Sequence, residues 1–300
     1  MRSVKTELGN VVVTDSFELL IGNTLKAQGY RSPVKNDPTR LPENYDPKLI
    51  NTEADLAEMS AGLKRVNSGQ LCLYGQPGTG KTACGRWLAQ YMDVPLLVKR
   101  ASDLMSPYVG ENEKNIAEAF RQAEQDGALL LIDEIGSFLQ DRRGAKQSWE
   151  VSVVNEMLTQ MESFSGVFIA STNLMDGLDQ AALRRFDLKL KFDFLRTDQA
   201  RELLLSLCQQ LRLEPRLAAQ LAAITRLHKL TPGDFATVAR QSRFKPATSP
   251  AGLVEALAAE CALKDGTHSS IGFCNSAARA RRAFQLHRYK GKVNAYLVQI

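Results

Sequence analysis

No run of about 18 consecutive apolar residues occurs in the 300-residue chain, so a membrane-spanning helix is not expected. The opening residues, MRSVKTELGNVVV, lack the apolar stretch and small-residue cleavage site of a secretion signal. Cysteine is scarce and scattered. Cys72, Cys84, Cys208, Cys261 and Cys274 are odd in number and include no C-x-x-C pair. That usage suggests neither a zinc site nor a disulfide framework, and the expectation is a protein of the reducing cytoplasm. Internal repeats are absent too. A one-signed charge is missing from most of the chain. The net +5 arises from 38 basic and 33 acidic residues, but six of the bases lie in the acid-free stretch 275–300. They are Arg279, Arg281, Arg282, Arg288, Lys290 and Lys292. Without them 32 bases face 33 acids, so basicity belongs to the tail and argues only weakly for nucleic-acid binding. What is present is a 44% hydrophobic composition, enough for a sizeable core in one large domain or two smaller ones.

The stretch LCLYGQPGTGKTACGRWLAQ carries the strongest signal. Gly75, Gln76, Pro77, Gly78, Thr79, Gly80, Lys81 and Thr82 spell G-x-x-x-x-G-K-[ST]. Glycines let a backbone curl until successive N–H groups face phosphate oxygens, and the helix that follows adds its positive end. In that arrangement Lys81 reaches the β- and γ-phosphates, and the Thr82 hydroxyl ligates Mg²⁺. The flanks agree, since QLCLY reads as a buried strand and TACGRWLAQYM as a helix.

Residues 1–45 read as an N-terminal segment or linker, with four prolines in RSPVKNDPTRLPENYDP. Regular structure is expected from NTEADLAEMSAGLKRV, with Thr52 capping a helix and Asp55 three residues on. Strands LCLY, PLLVKR, ALLLIDEI and GVFIAST then alternate with helices. The apolar runs lack period-two alternation, as in strands buried on both faces of a parallel sheet. After about Leu195 only helical patterns follow. The expected organisation is an α/β domain over 46–195, a helical lid over 196–272 and a basic tail over 273–300.

ALLLIDEI ends in Asp133 and Glu134. Two acids at the C-terminal end of an apolar strand suit a nucleotide site: Asp133 to hold Mg²⁺, Glu134 to orient and activate the attacking water. The next strand ends at Asn173, whose amide suits the γ-phosphate and the same water. LDQAALRRFDLKLKF then presents Arg184 and Arg185. They fit either a solvated pair at a helix end or arginines set against a neighbouring subunit's γ-phosphate.

Taken together, Gly75–Thr82, Asp133–Glu134, Asn173 and Arg184–Arg185 resemble the AAA+ ATPases, and more narrowly the classical AAA group, over roughly residues 45–270. The resemblance implies a P-loop NTPase fold with a helical lid, ATP and Mg²⁺ as cofactors, and ATP hydrolysis. It also implies a homo-oligomer, a hexamer in this family, completed in trans by the arginines. AALRRFD is most similar to the microtubule-severing branch. SPYVGENEKNIAEAF is similar to the family's first pore loop, with Tyr108, Val109 and Gly110 at the aromatic, apolar and glycine positions that grip an extended polypeptide. TPGDF resembles the segment where this group carries no sensor arginine, with Gly233 near the adenine. DRRGAKQSWE, including Arg142 and Arg143, reads as a polar segment, either a simple solvated loop or a second loop on the pore side that meets substrate or a neighbour. The implied activity is ATP-driven remodelling or threading of a protein whose identity the sequence does not give. Two other readings stand beside it: a nucleic-acid motor or loader using the basic tail, and an ATP-switched scaffold.

Overall fold

A computed structural model describes residues 45–108, 110–140, 148–213 and 217–264. Five strands form one sheet: β1 (Gly69–Gly75), β2 (Leu96–Arg100), β3 (Leu129–Asp133), β4 (Val167–Thr172) and β5 (Leu188–Phe192). Their spatial order is β2-β3-β4-β1-β5, and every pairing is parallel. The expected parallel α/β fold is therefore present. All six residues of β4 are buried, as are the first four of β3, which explains their unbroken apolar runs. By contrast β5 is an edge strand. Leu190 and Phe192 are buried while Leu188, Lys189 and Lys191 face solvent.

Alternation along the central strands divides the core in two. Cys72, Leu130, Ile132, Phe168 and Ala170 face one side, and Leu71, Leu73, Leu129, Leu131, Val167 and Ile169 the other. The first side is closed by α4 (Glu111–Gln125) and α5 (Ser148–Ser163). There Phe120 meets Phe164 edge-on at 5.3 Å and Phe168 at 5.1 Å between ring centres. The second side is closed by α1 (Leu56–Val66) and α2 (Lys81–Met92). Two short helices complete the first side, α3 (Ala101–Leu104) before α4 and α6 (Gln180–Arg185) before β5.

Beyond β5 come α7 (Thr197–Gln210), α8 (Leu217–Ile224), α9 (Pro232–Phe244) and α10 (Pro250–Lys264). They enclose a third apolar cluster that includes Leu204, Leu207, Leu230, Phe235, Val238, Leu253 and Leu257. A polar bracket ties these helices to the segment ahead of α1. The buried Gln199 side chain donates to the carbonyls of Lys48 and Ile50, both at 3.0 Å. A second link is internal to the helices. Lys264 Nζ lies 2.5 Å from the buried Asp234 carboxylate, which also accepts from the Thr231 amide at 2.7 Å and hydroxyl at 2.9 Å. Among the described residues no helix is long and apolar enough to cross a membrane.

The start of α1 corrects the expectation for Thr52. The cap is Asp55, whose Oδ1 accepts from the Ala57 amide at 2.8 Å and the Glu58 amide at 3.2 Å. Thr52 instead forms an antiparallel bridge with Phe192, and its hydroxyl accepts from the Ala54 amide at 3.0 Å. Pinning Thr52 to the sheet edge keeps its backbone extended and delays the helix by three residues. Asp55→Ala should therefore cost about 1 kcal/mol in urea denaturation. Thr52→Val should cost clearly less, because no helical amide depends on it.

Candidate active site

The loop 75–80 leaves the C-terminal end of β1, in the middle of the sheet, and leads into α2. Gly78 and Gly80 have φ of 79° and 98°, a region that other residues enter only at a cost. Gly80 is the residue ahead of α2 and contributes no side-chain cap. The first-turn amides of α2 are thus left for a ligand. The Thr79 hydroxyl donates to the Gln76 carbonyl at 2.7 Å and stiffens the loop.

Lys81 is buried, with 6% of its surface accessible. Its ammonium donates to three oxygens: Gly75 O at 2.7 Å, Gln76 O at 2.9 Å and Asn173 Oδ1 at 2.9 Å. Burial pushes its pKa down, and the nearby Asp133 charge partly opposes that shift. Asp133 ends β3 and accepts from the Thr82 hydroxyl at 3.0 Å and from the Ser171 hydroxyl on β4. Residues 92 and 51 positions apart in sequence thus meet because β1, β4 and β3 are adjacent and parallel. Ser171 is a functional candidate that sequence reasoning missed. Its only signal is its place two residues ahead of Asn173.

Glu134 follows with φ 61° and ψ 38°, a left-handed conformation unusual for a glutamate. Its side chain is exposed and has no hydrogen-bond partner among the described residues. A strained backbone at this position aims the carboxylate out of the strand line and into the cleft it borders.

That cleft has a volume of about 890 Å³. Its floor includes Gly78, Lys81, Thr82, Asp133, Glu134 and Asn173, and its other wall is built from α7 and α9, with Leu207 and Phe235 among the apolar contributors. Tyr45 and Ile50 also line it. They lie in the aperiodic segment ahead of α1, where no pattern marked them. Gly233, at the start of α9, lines the cleft and donates its amide to Gly78 O at 2.9 Å. A Cβ on Gly233 would sit 2.9 Å from Gly78 Cα and 3.0 Å from Gly78 O. The helical wall thus rests on the phosphate loop through two glycines.

The donor set fits ATP with Mg²⁺. Backbone amides without a side-chain cap and a buried ammonium suit phosphates, and the Thr82 hydroxyl beside the Asp133 carboxylate suits a hard, oxygen-seeking cation.

Arg184 and Arg185 close α6, and neither lines the cleft of its own chain. The two differ. Arg185 is held in place: its guanidinium pairs with Glu162 and donates to the Ala181 carbonyl at 3.0 Å. Arg184 is exposed and makes no hydrogen bond or ion pair among the described residues. Between α3 and α4, Tyr108 is 69% exposed, which excludes a core role for its ring. Beneath it the Ser106 amide donates to Asn112 Oδ1 at 2.6 Å, and Gly110 turns with φ of 82°. Val109, Arg142, Arg143 and the tail lie outside the described residues.

Replacing Gly233 with alanine should push α9 off the phosphate loop. ATP affinity should fall by about tenfold, a cost typical of one overpacked contact, while the Lys81 constellation stays intact. Calorimetric titration of Gly233→Ala against wild type checks this. Unchanged affinity would mean that α9 and the loop separate freely.

Residues 71–194 match the family model described as "ATPase family associated with various cellular activities (AAA)". Among curated proteins, the chain is 32% identical over 201 residues to Spastin of Drosophila erecta, and equally to that of Drosophila melanogaster. Spastin of Drosophila mojavensis is 33% identical over the same length. These alignments cover 63% of this chain but only 26% of the fly proteins, so the chain spans about a quarter of the relatives it matches. The parallel sheet, the loop–acid–amide constellation on its C-terminal edge and these matches agree that residues 71–194 form a domain of the AAA ATPase family.

Proposed function

We propose that this chain hydrolyses ATP with Mg²⁺ and works as a homo-oligomeric ring, a hexamer, that threads or remodels a protein in the cytoplasm. One observation carries the reading. Lys81, Thr82, Asp133, Glu134 and Asn173 converge on one cleft, whereas Arg184, the cation needed to finish it, is exposed and does not line that cleft on the same chain.

In the proposed reaction the loop amides and Lys81 hold the phosphates. Asn173 gives up its bond to Lys81 and turns its amide to the γ-phosphate and the attacking water. Glu134 accepts the proton of that water. Thr82 and Asp133 would hold Mg²⁺, which would supply positive charge against the phosphates. Little covalent chemistry is asked of the protein, since positioning and electrostatics supply most of the rate. Arg184 of a second copy stabilises the charge on the transferred group, and Arg185 positions α6 through Glu162. Tyr108, exposed on a loop with a fastened base, offers an aromatic face to any extended chain without demanding a sequence.

The two arginines separate in experiment. Arg184→Ala should lower turnover at saturating ATP by about a thousandfold and leave melting temperature and single-chain nucleotide affinity unchanged. Arg185→Ala should also lower the melting temperature, because it frees Glu162 and removes a half-buried guanidinium. Mixing Arg184→Ala with Lys81→Ala subunits should restore measurable turnover. Full activity of Arg184→Ala, or turnover per chain independent of protein concentration, would contradict the shared site.

Tyr108→Ala should keep resting ATP hydrolysis and melting temperature, since the ring is exposed. Stimulation by an unfolded protein such as casein should fall several-fold, and Tyr108→Phe should retain it. Equal stimulation of Tyr108→Ala and wild type would remove the threading part of the proposal.

A further inference from the structure

The described surface carries an apolar knob and an apolar groove on different elements, and the charges beside them are opposite in sign. Phe244, the last residue of α9, is 90% exposed. Among the described residues almost nothing packs against this phenylalanine at the helix end. Around it the stretch 240–245 reads RQSRFK, with Arg240, Arg243 and Lys245 and no acid. On the α/β part, α1 and the edge strand β5 flank a groove of about 500 Å³. Its apolar lining includes Met59, Leu63, Val66, Leu188 and Leu190, of which Val66 is 65% and Leu188 38% exposed. Asp55 and Glu58 line the end of the groove nearest the start of α1, and Glu53 stands just ahead of them. Three of the nearby bases are engaged elsewhere. Lys64 donates to the Tyr91 carbonyl at 2.9 Å, Lys189 donates to the Phe186 carbonyl at 2.6 Å, and Lys191 pairs with Asp193 at 2.9 Å. Arg65 stands exposed beside Val66. Gly62 lines the groove, and a Cβ there would meet nothing within 4 Å.

We propose that Phe244 of one copy seats in the α1–β5 groove of a second copy, with the basic end of α9 against the acidic start of α1. The inference rests on the ring reading above and names the contact that closes the ring. Knob and groove lie on different elements, so one contact leaves a free knob and a free groove at the two ends. Such a head-to-tail contact propagates until a rotation closes it. An aromatic anchor in an apolar pocket, rimmed by opposite charges, has the anatomy of an interface hot spot. The contact also connects α9, which rests on one chain's phosphate loop, to the α/β part of the next chain, so nucleotide-dependent movement of α9 passes between subunits.

The test uses the full chain in a Glu134→Gln background with ATP and Mg²⁺, observed by sedimentation velocity. Phe244→Ser should raise the protein concentration needed for half-assembly by about tenfold or more. Gly62→Leu, which fills the groove without a clash, should do the same while keeping or raising the melting temperature, since leucine favours a helix. A direct readout comes from Phe244→Cys combined with Val66→Cys and Cys274→Ser. Oxidation should give a ladder of cross-linked oligomers, because the other four cysteines are buried. Normal assembly by both Phe244→Ser and Gly62→Leu, or oxidation that yields only monomer from an assembled sample, overturns the proposed contact alone. A parent protein that stays monomeric with ATP at every concentration overturns the ring reading itself.

Discussion

Burying one ammonium is the constraint on which the rest of the site depends. Lys81 starts α2, just beyond the C-terminal end of β1, almost without solvent, and its three bonds go to two loop carbonyls and the Asn173 amide oxygen. A buried charge is tolerable only when its hydrogen bonds are made. Without a ligand the protein makes them itself, drawing the loop and the end of β4 together. A bound phosphate offers stronger, charged acceptors, so Lys81 can exchange Asn173 for phosphate and release the amide. In the proposed reaction the same lysine thereby links nucleotide arrival to the freeing of Asn173. Burial pushes its pKa down, which is relieved when anionic oxygens arrive.

Geometry around that lysine explains why the fold is needed. Thr82, Asp133, Ser171 and Asn173 come from two strand ends, β3 and β4, and the helix start that follows β1, and only a parallel sheet brings these C-terminal ends to one edge. The helical part supplies the opposite wall through the Gly233–Gly78 contact and the Gln199 bracket. Arg184 is the exception, exposed and outside the cleft, and this single-chain incompleteness is what makes a neighbouring copy part of the proposed chemistry.

Much of this was legible in the sequence for physical reasons. The glycine-rich loop, the apolar runs of β3 and β4 and the acids that end β3 are local patterns whose meaning depends on few other residues. Less legible features depend on distant partners. Thr52 and Asp55 are equally good caps by type, and only the Thr52–Phe192 bridge decides between them. Arg184 and Arg185 are adjacent and alike, and their difference comes from Glu162, on another helix. Gln199 and the Lys264–Asp234 pair lie in ordinary helical patterns that carry no mark of a buried polar contact. Tyrosine as a residue type also suits a core at a strand–helix junction, and the exposure of Tyr108 excludes that role.

The central claim is that Lys81 is the buried counter-charge for a nucleotide's phosphates. Isothermal titration of ATP and Mg²⁺ into wild type and Lys81→Met, with melting curves to show that both are folded, measures it most directly. The account predicts that Lys81→Met folds and loses ATP affinity by about a hundredfold or more, the cost of two charge-assisted hydrogen bonds. Equal affinity in the two folded proteins would contradict it.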